Sequence, residues 1–170
     1  MVDLYNAMAQ NQGLLPEEMR AVCLDILVPR PPEDSPFEGQ RFDLIVVRRT
    51  SYRFERFSDV PYSDHQCASA YHHFESIEAV TTALVSYLKP GGALMVVDLI
   101  RPSEEEVNNI DEIFPEHDAS IVCHRGGFKE EEIISAFNAA GLQNVCFEAA
   151  IPVRKKGYNL KLFLAKGERN

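Results

Sequence analysis

The sequence has 170 residues, of which 45% are hydrophobic and 25% charged, and its formal net charge is −9. This length predicts about one domain with a buried core, and the composition is that of a globular protein. The acidic balance argues against nucleic acid or an anionic membrane as a partner, because a polyanion does not attract an acidic surface. No apolar run is long enough for a membrane span, and the start of the chain lacks the basic and apolar regions of a signal peptide. We therefore expect a cytoplasmic protein.

The cysteines are scattered along the chain, at Cys23, Cys67, Cys123 and Cys146. None of them forms a Cys-x-x-Cys pair, which argues against a zinc site or a redox motif. Three lie inside or beside apolar runs. We therefore predict that they are reduced residues of the core.

Helix and strand patterns alternate along the chain. Apolar residues at helical spacing predict a short amphipathic helix from Val2 to about Gln12, ending near Gly13. The apolar run Ala21–Leu27 predicts a buried strand that carries Asp25 near its C-terminal end. A second strand is predicted at Phe42–Val46, after a loop rich in proline and acidic residues.

The next predicted helix has Glu75 or Ser76 as its cap and places apolar residues on one face as far as Leu88. We expect Lys89-Pro90-Gly91-Gly92 to stop it, because proline removes a backbone donor and glycine adopts left-handed conformations. The nearly continuous apolar run Ala93–Ile100 predicts a strand that is covered on both faces, as in a parallel sheet.

The C-terminal third predicts one helix and two strands. Three glutamates at positions 130–132 favour a helix start, and that helix ends at Gly141. Strands are predicted at Val145–Val153 and Tyr158–Lys166, joined by a short basic turn that pairs them antiparallel. The resulting class is an α/β sandwich whose last strand reverses direction.

Four segments together resemble one family: Ala21–Leu27, Phe42–Val46, the Ala-Tyr-His-His-Phe stretch at 70–74, and Leu-Lys-Pro-Gly-Gly at 88–92 leading into the strand that ends at Asp98. They resemble class I S-adenosylmethionine-dependent methyltransferases, especially small-molecule enzymes with Tyr-His-His-Phe after the fourth strand. The resemblance implies the C-terminal portion of the Rossmann-like sandwich of that family, its strands 3 to 7, with the last strand antiparallel.

The resemblance also implies a binding site at the carboxyl ends of the parallel strands. Asp25 matches the acid that accepts a hydrogen bond from the adenine amino group in similar enzymes, with Ile26 beside it; an ordinary helix or loop cap is the alternative. Ala70 and Tyr71 would line the site beside the sulfonium of S-adenosylmethionine. His72 and His73 would be catalytic, although either one could instead pack as a core residue.

His124 is a weaker candidate for a catalytic acid or base, since neutral imidazole accepts a proton near physiological pH. A plain loop histidine is the alternative. Asp98 either faces the substrate or bonds a backbone amide at the end of its strand. The residue types at His72, His73, Cys123 and His124 permit a metal, but their spacing is not diagnostic, and we expect no metal.

Parts of the family pattern have no counterpart in the 170 residues. These are the first strand, the glycine-rich loop that approaches the methionine part of the cofactor, and the second strand with its terminal acid. We therefore expect an N-terminally truncated domain that does not hold S-adenosylmethionine on its own. The family's strand order is 3-2-1-4-5-7-6. Without strands 1 and 2, either an apolar edge stays open at Phe42–Val46 or the early strand Ala21–Leu27 moves to fill the gap. An open apolar edge favours self-association.

Residues 47–66 interrupt the family pattern within the single domain predicted for 1–170. This insertion holds four arginines and no lysine, and it has no apolar period. Our hypothesis is that it is a translated short intron, and an arginine-rich lid over the substrate pocket is the alternative. In both cases we expect it to be exposed and poorly ordered.

The sequence therefore predicts methyl transfer from S-adenosylmethionine to a small molecule as the activity of the family. The alternative is a non-catalytic methyltransferase-like remnant or regulatory partner. A dehydrogenase is disfavoured because the chain has no Gly-x-Gly-x-x-Gly segment.

Overall fold

The computed structural model describes residues 2–28, 36–37, 39–47, 70–101, 110–114, 122–155 and 157–170. The chain divides into two units, Met1–Gln40 and Arg41–Asn170. Apart from Val47, the predicted insertion 47–66 lies outside the described residues, as does Cys67.

The first unit contains the predicted helix, α1, which spans Val2–Asn11. The strand predicted at Ala21–Leu27 is wrong, since residues 20–28 form only coil, turn and bend. The Asn6 side chain explains part of this result. Its Nδ2 donates to Ala21 O (3.1 Å), and its Oδ1 accepts from Ala21 N (2.7 Å). These bonds satisfy both backbone groups of Ala21, which a strand would have paired with a neighbouring strand.

The second unit contains a four-stranded sheet of β1 (Phe42–Val47), β2 (Leu88–Leu99), β3 (Leu142–Lys155) and β4 (Tyr158–Arg169), in the order β1-β2-β4-β3. β1 runs parallel to β2, whereas β4 is antiparallel to both of its neighbours. This order is the 4-5-7-6 portion of the predicted sheet. The α/β class and the antiparallel last strand are therefore confirmed.

The helices of the second unit are α2 (Ile77–Ser86), the single turn α3 (Ile110–Ile113) and α4 (Glu130–Ala139). Ser76 caps α2 by accepting from Ala79 N (3.2 Å). The prediction that Lys89-Pro90-Gly91-Gly92 stops this helix is wrong, because β2 already begins at Leu88. Phe42 N bonds Tyr87 O (2.9 Å), and Arg169 Nη1 bonds Leu88 O, so tertiary contacts draw the chain into the sheet earlier.

The core lies on the face of the sheet where Leu94 and Val96 of β2 are completely buried. The register places β4 residues Gly167 and Ala165 opposite these two. At one end of the other face, a second cluster is formed by Leu99, Ile113, Phe114, Leu160 and Leu162. Leu44 and Val46 of β1 remain 49% and 48% exposed, in line with the apolar edge expected from the sequence.

Cys23, Cys123 and Cys146 are free thiols, and all three are exposed, so the prediction that they belong to the core is wrong for these residues. In β3, strand alternation turns the Cys146 side chain outward despite its apolar neighbours. Within the described residues, no helix is both long and apolar enough to cross a bilayer.

Candidate functional site

A buried carboxylate lies at the carboxyl end of β2. Asp98 is 0% exposed, and its Oδ2 accepts from the backbone N–H of His72 (3.1 Å). Its Oδ1 accepts from Leu99 N (2.6 Å) and lies 3.1 Å from His72 Nδ1. Asp98 therefore bonds backbone amides, which was one of the two alternatives given by the sequence. It also contacts an imidazole of the candidate site.

The two neighbouring histidines lie on a 3₁₀ turn, Tyr71–His73, which starts after the half-buried Ala70. The structure gives the two side chains different environments. His72 is 3% exposed and bonded to Asp98, whereas His73 is only half-buried. Their ring centroids are 4.2 Å apart with planes inclined at 42°. Of the pair, His73 is the more accessible to a ligand.

Tyr71 points into the core, where its ring packs edge-on against Phe128 with centroids 6.2 Å apart. Its hydroxyl bonds Thr81 Oγ1, and Thr81 in turn donates to Ile77 O (2.5 Å). Because the Thr81 proton is used there, Tyr71 is the donor to Thr81. A cofactor contact from Tyr71 would therefore come from its backbone.

Burial is the main reason that the pKa of Tyr71 is raised to about 12. Because the folded protein holds this proton more tightly than the unfolded chain does, the free energy of unfolding should fall between about pH 10 and about pH 12. Tyr71→Phe should lose about 1 kcal/mol at pH 8 and lack most of the alkaline loss. Urea unfolding at pH 8 and pH 11 measures both effects. The same alkaline loss in wild type and variant would contradict the assignment.

The loop before α4 contacts the backbone of the 3₁₀ turn through one backbone donor and one side-chain donor. His124 N donates to His72 O (3.0 Å), and Cys123 Sγ donates to His73 O (3.4 Å). The His124 ring lies against Phe128 (centroids 4.8 Å apart), and its Nε2 is buried with no hydrogen-bond partner among the described residues. The fold therefore brings the loop of His124 to the turn that carries the other two predicted histidines.

The predicted adenine-binding residues lie in the first unit. Asp25 is exposed, and its Oδ1 accepts from Leu27 N (3.0 Å), which is the loop-cap interaction that the sequence left open. Ile26 is half-buried in the turn that follows. Their role toward a cofactor stays a prediction. In the described part of the chain, no group of three or more His, Cys, Asp or Glu side chains is arranged to hold a metal ion.

The link between Asp98 and His72 is the feature that sequence analysis missed. The two residues are 26 positions apart, and no local pattern joins them. A usable signal was present, however. Asp98 ends a buried strand, and once residues 47–66 are set aside the histidine follows the parallel neighbouring strand. Both positions therefore fall at the carboxyl edge of the sheet.

A parallel pair is extended by an antiparallel last strand, with polar residues at the carboxyl edge. This arrangement matches the C-terminal portion of the class I methyltransferase fold. Solved structures agree. An O-methyltransferase family protein from Burkholderia thailandensis matches 99% of this chain and 40% of its own at 17% identity, with a TM-score of 0.60. An S-adenosylmethionine-dependent methyltransferase from Clostridium acetobutylicum matches 97% of this chain and 69% of its own at 13% identity, with a TM-score of 0.54.

Among curated proteins, an uncharacterized methyltransferase of Schizosaccharomyces pombe is 30% identical over 145 residues. The alignment covers 85% of this chain and 43% of the relative, so the chain spans less than half of the relative's length. No protein-family profile matches the sequence. This relative is a methyltransferase, and the fold of the chain is that of the C-terminal portion of class I methyltransferases.

Proposed function

We propose that this chain contributes the acceptor side of an S-adenosylmethionine-dependent methyltransferase that acts on a small molecule in the cytoplasm. One observation carries the proposal. Within a methyltransferase fold, the His72–His73 turn lies at the carboxyl edge of the sheet and is tied to Asp98 of β2. That edge is where open α/β sheets bind their ligands.

The described residues suit the acceptor side better than the donor side. The imidazole of His73 is half-buried, and the residue at the start of the turn, Ala70, has a small side chain. Asp25, the proposed adenine partner, is exposed with one oxygen already bonded within its own loop. None of the 170 residues supplies a glycine-rich loop. The proposal therefore assigns proton removal and acceptor placement to this chain.

When bound, S-adenosylmethionine would supply a sulfonium-linked methyl group, transferred with the bond's electron pair left on sulfur. The chain's own residues would prepare the acceptor. His73 would take the acceptor's proton as a neutral imidazole, His72 and Asp98 would hold the turn, and His124 would be the further candidate base. Much of the rate gain would come from alignment of acceptor and methyl group.

Calorimetry with S-adenosylmethionine tests whether this chain prepares the acceptor but does not bind the methyl donor on its own. A polypeptide limited to these 170 residues should show no binding at micromolar concentrations, because it has no loop for the methionine part of the donor. A chimera that adds the region of the S. pombe relative outside the aligned part should bind. It should also transfer labelled methyl groups to one or more small metabolites, and His73→Ala should reduce that transfer about 100-fold or more. Binding by the 170 residues alone, or an unimpaired His73→Ala chimera, would contradict the proposal.

A non-catalytic binding role is the second candidate, and the exposed edge of β1 favours it. Leu44 and Val46 lie on a strand that pairs only with β2 among the described strands. An apolar strand edge of this kind favours pairing with another chain. Sedimentation velocity should show concentration-dependent association that Leu44→Lys weakens. Leu15→Lys is the matched control, since Leu15 is also exposed (60%) but lies outside the strand. Equal effects of both variants would argue against the edge.

A further inference from the structure

The carboxylate of Asp98 and the ring of His72 form a buried pair with a fixed geometry. A carboxylate can only accept hydrogen bonds, so the 3.1 Å contact requires the proton to be on His72 Nδ1. Two backbone donors, His72 N and Leu99 N, hold the carboxylate in place from other directions. The His72 ring therefore cannot turn without breaking its bond to Asp98.

The buried ring is also in contact with the more accessible one. His72 is 3% exposed and its Nε2 is buried, which places it behind the surface that a substrate would meet. The centroid of the His73 ring lies only 4.2 Å from that of His72, and His73 is half-buried. A fixed ring at this distance restricts the orientations that the His73 ring can adopt.

We propose that Asp98 and His72 are a positioning pair: Asp98 holds His72 in the Nδ1–H tautomer, and the His72 ring is the platform that orients His73 toward the acceptor. The inference rests on the proposed function for the role of His73, but the tautomer and the platform are properties of the fold. A purely structural link between the turn and β2 is the competing explanation. Such a link needs the hydrogen bonds and not the ring.

Nitrogen-15 NMR of the histidine rings tests the proposal that Asp98 holds His72 in the Nδ1–H tautomer. In the wild-type protein, His72 should show a protonated Nδ1 and an unprotonated Nε2 at neutral to slightly alkaline pH. Asp98→Asn should disturb this tautomer, because an amide presents both a donor and an acceptor to the ring. Asp43→Asn is the matched control on the neighbouring strand, where the side chain is exposed and paired with Lys89, and it should leave His72 unchanged. An Nε2–H tautomer in the wild type would overturn the inference even if Asp98→Asn failed to fold.

His72→Asn tests the proposal that the His72 ring orients His73, since an asparagine amide can still donate to Asp98 but carries no ring. The probe is diethyl pyrocarbonate, which modifies accessible neutral imidazoles, with peptide mapping to separate the histidines. In the wild type, His73 should react at least several-fold faster than His72. In His72→Asn, the His73 rate should rise and its ring signals should broaden or average. If the reactivity and ring signals of His73 were unchanged in this variant, the Asp98–His72 bonds would only link the turn to β2. The proposal that the His72 ring orients His73 would then be overturned.

These readouts are independent of methyl transfer. If the tautomer and the platform hold but no chimera transfers methyl groups, the proposed function fails and the positioning pair stands. If transfer occurs, His72→Asn should lower kcat about tenfold or more with little change in KM, since orientation acts on the reacting geometry more than on binding. A kcat equal to wild type would overturn the inference.

Discussion

Replacing Asp98 with alanine is expected to lower the free energy of unfolding by about 3–5 kcal/mol, one of the two largest losses we predict. The carboxylate is completely buried and accepts from His72 N, His72 Nδ1 and Leu99 N. Alanine would leave these donors without their acceptor where water cannot replace it. Urea unfolding followed by circular dichroism measures the loss.

Asp98→Asn keeps the shape and one acceptor oxygen, so a smaller loss of about 1–3 kcal/mol is expected. This variant remains measurable if the alanine variant does not fold. Asp43→Ala serves as the control, because the Asp43 carboxylate is exposed and its bond to Lys89 (2.8 Å) is a surface ion pair. The Lys89 ammonium lowers the pKa of Asp43, but no measurable loss of stability is expected. A loss at Asp98 no larger than at Asp43 would contradict the hydrogen-bond assignment.

Gly127→Ala is expected to cost about 3 kcal/mol or more and to detach the His124 loop from the sheet. A Cβ on Gly127 would lie 2.2 Å from Leu99 O and 2.8 Å from Leu99 C, both of them backbone atoms. The backbone is also left-handed there, with φ +85°. Relief of the clash would stretch the bonds from Phe128 N to Leu99 O (2.9 Å) and from Arg101 N to Phe128 O (2.8 Å).

Gly141→Ala separates the effect of the steric clash on stability from the effect of the left-handed backbone conformation. Gly141 follows α4 with φ +80°, and no atom lies within 4 Å of a Cβ placed there. Its substitution should therefore cost only the left-handed penalty, about 1–2 kcal/mol. Thermal unfolding of both variants, with the His124 ring followed by NMR, gives the comparison. Equal losses, or unchanged His124 signals in Gly127→Ala, would contradict the close packing of this loop on β2.

The sequence by itself determined the elements whose signals are local. Ser76 and the apolar spacing that follows it define α2, and the glutamates at 130–132 with Gly141 define α4. The apolar runs of β1, β2 and β4 and the basic turn between the last two strands predicted the sheet and its antiparallel end. These succeed because helix caps, side-chain periodicity and turns depend on residues only a few positions apart.

Tertiary structure decided the rest, because the groups concerned are far apart in sequence. The Asn6 side chain forms hydrogen bonds with both the N–H and the C=O of Ala21, 15 residues away. The apolar run 21–27 does not form a strand. β2 starts at Leu88 because Phe42 and the Arg169 guanidinium hold the chain there. His72 and His73 are adjacent and chemically identical, yet only the 26-residue link to Asp98 makes one a buried partner and leaves the other accessible. Burial and hydrogen-bond partners arise when distant segments pack, and no local pattern specifies them.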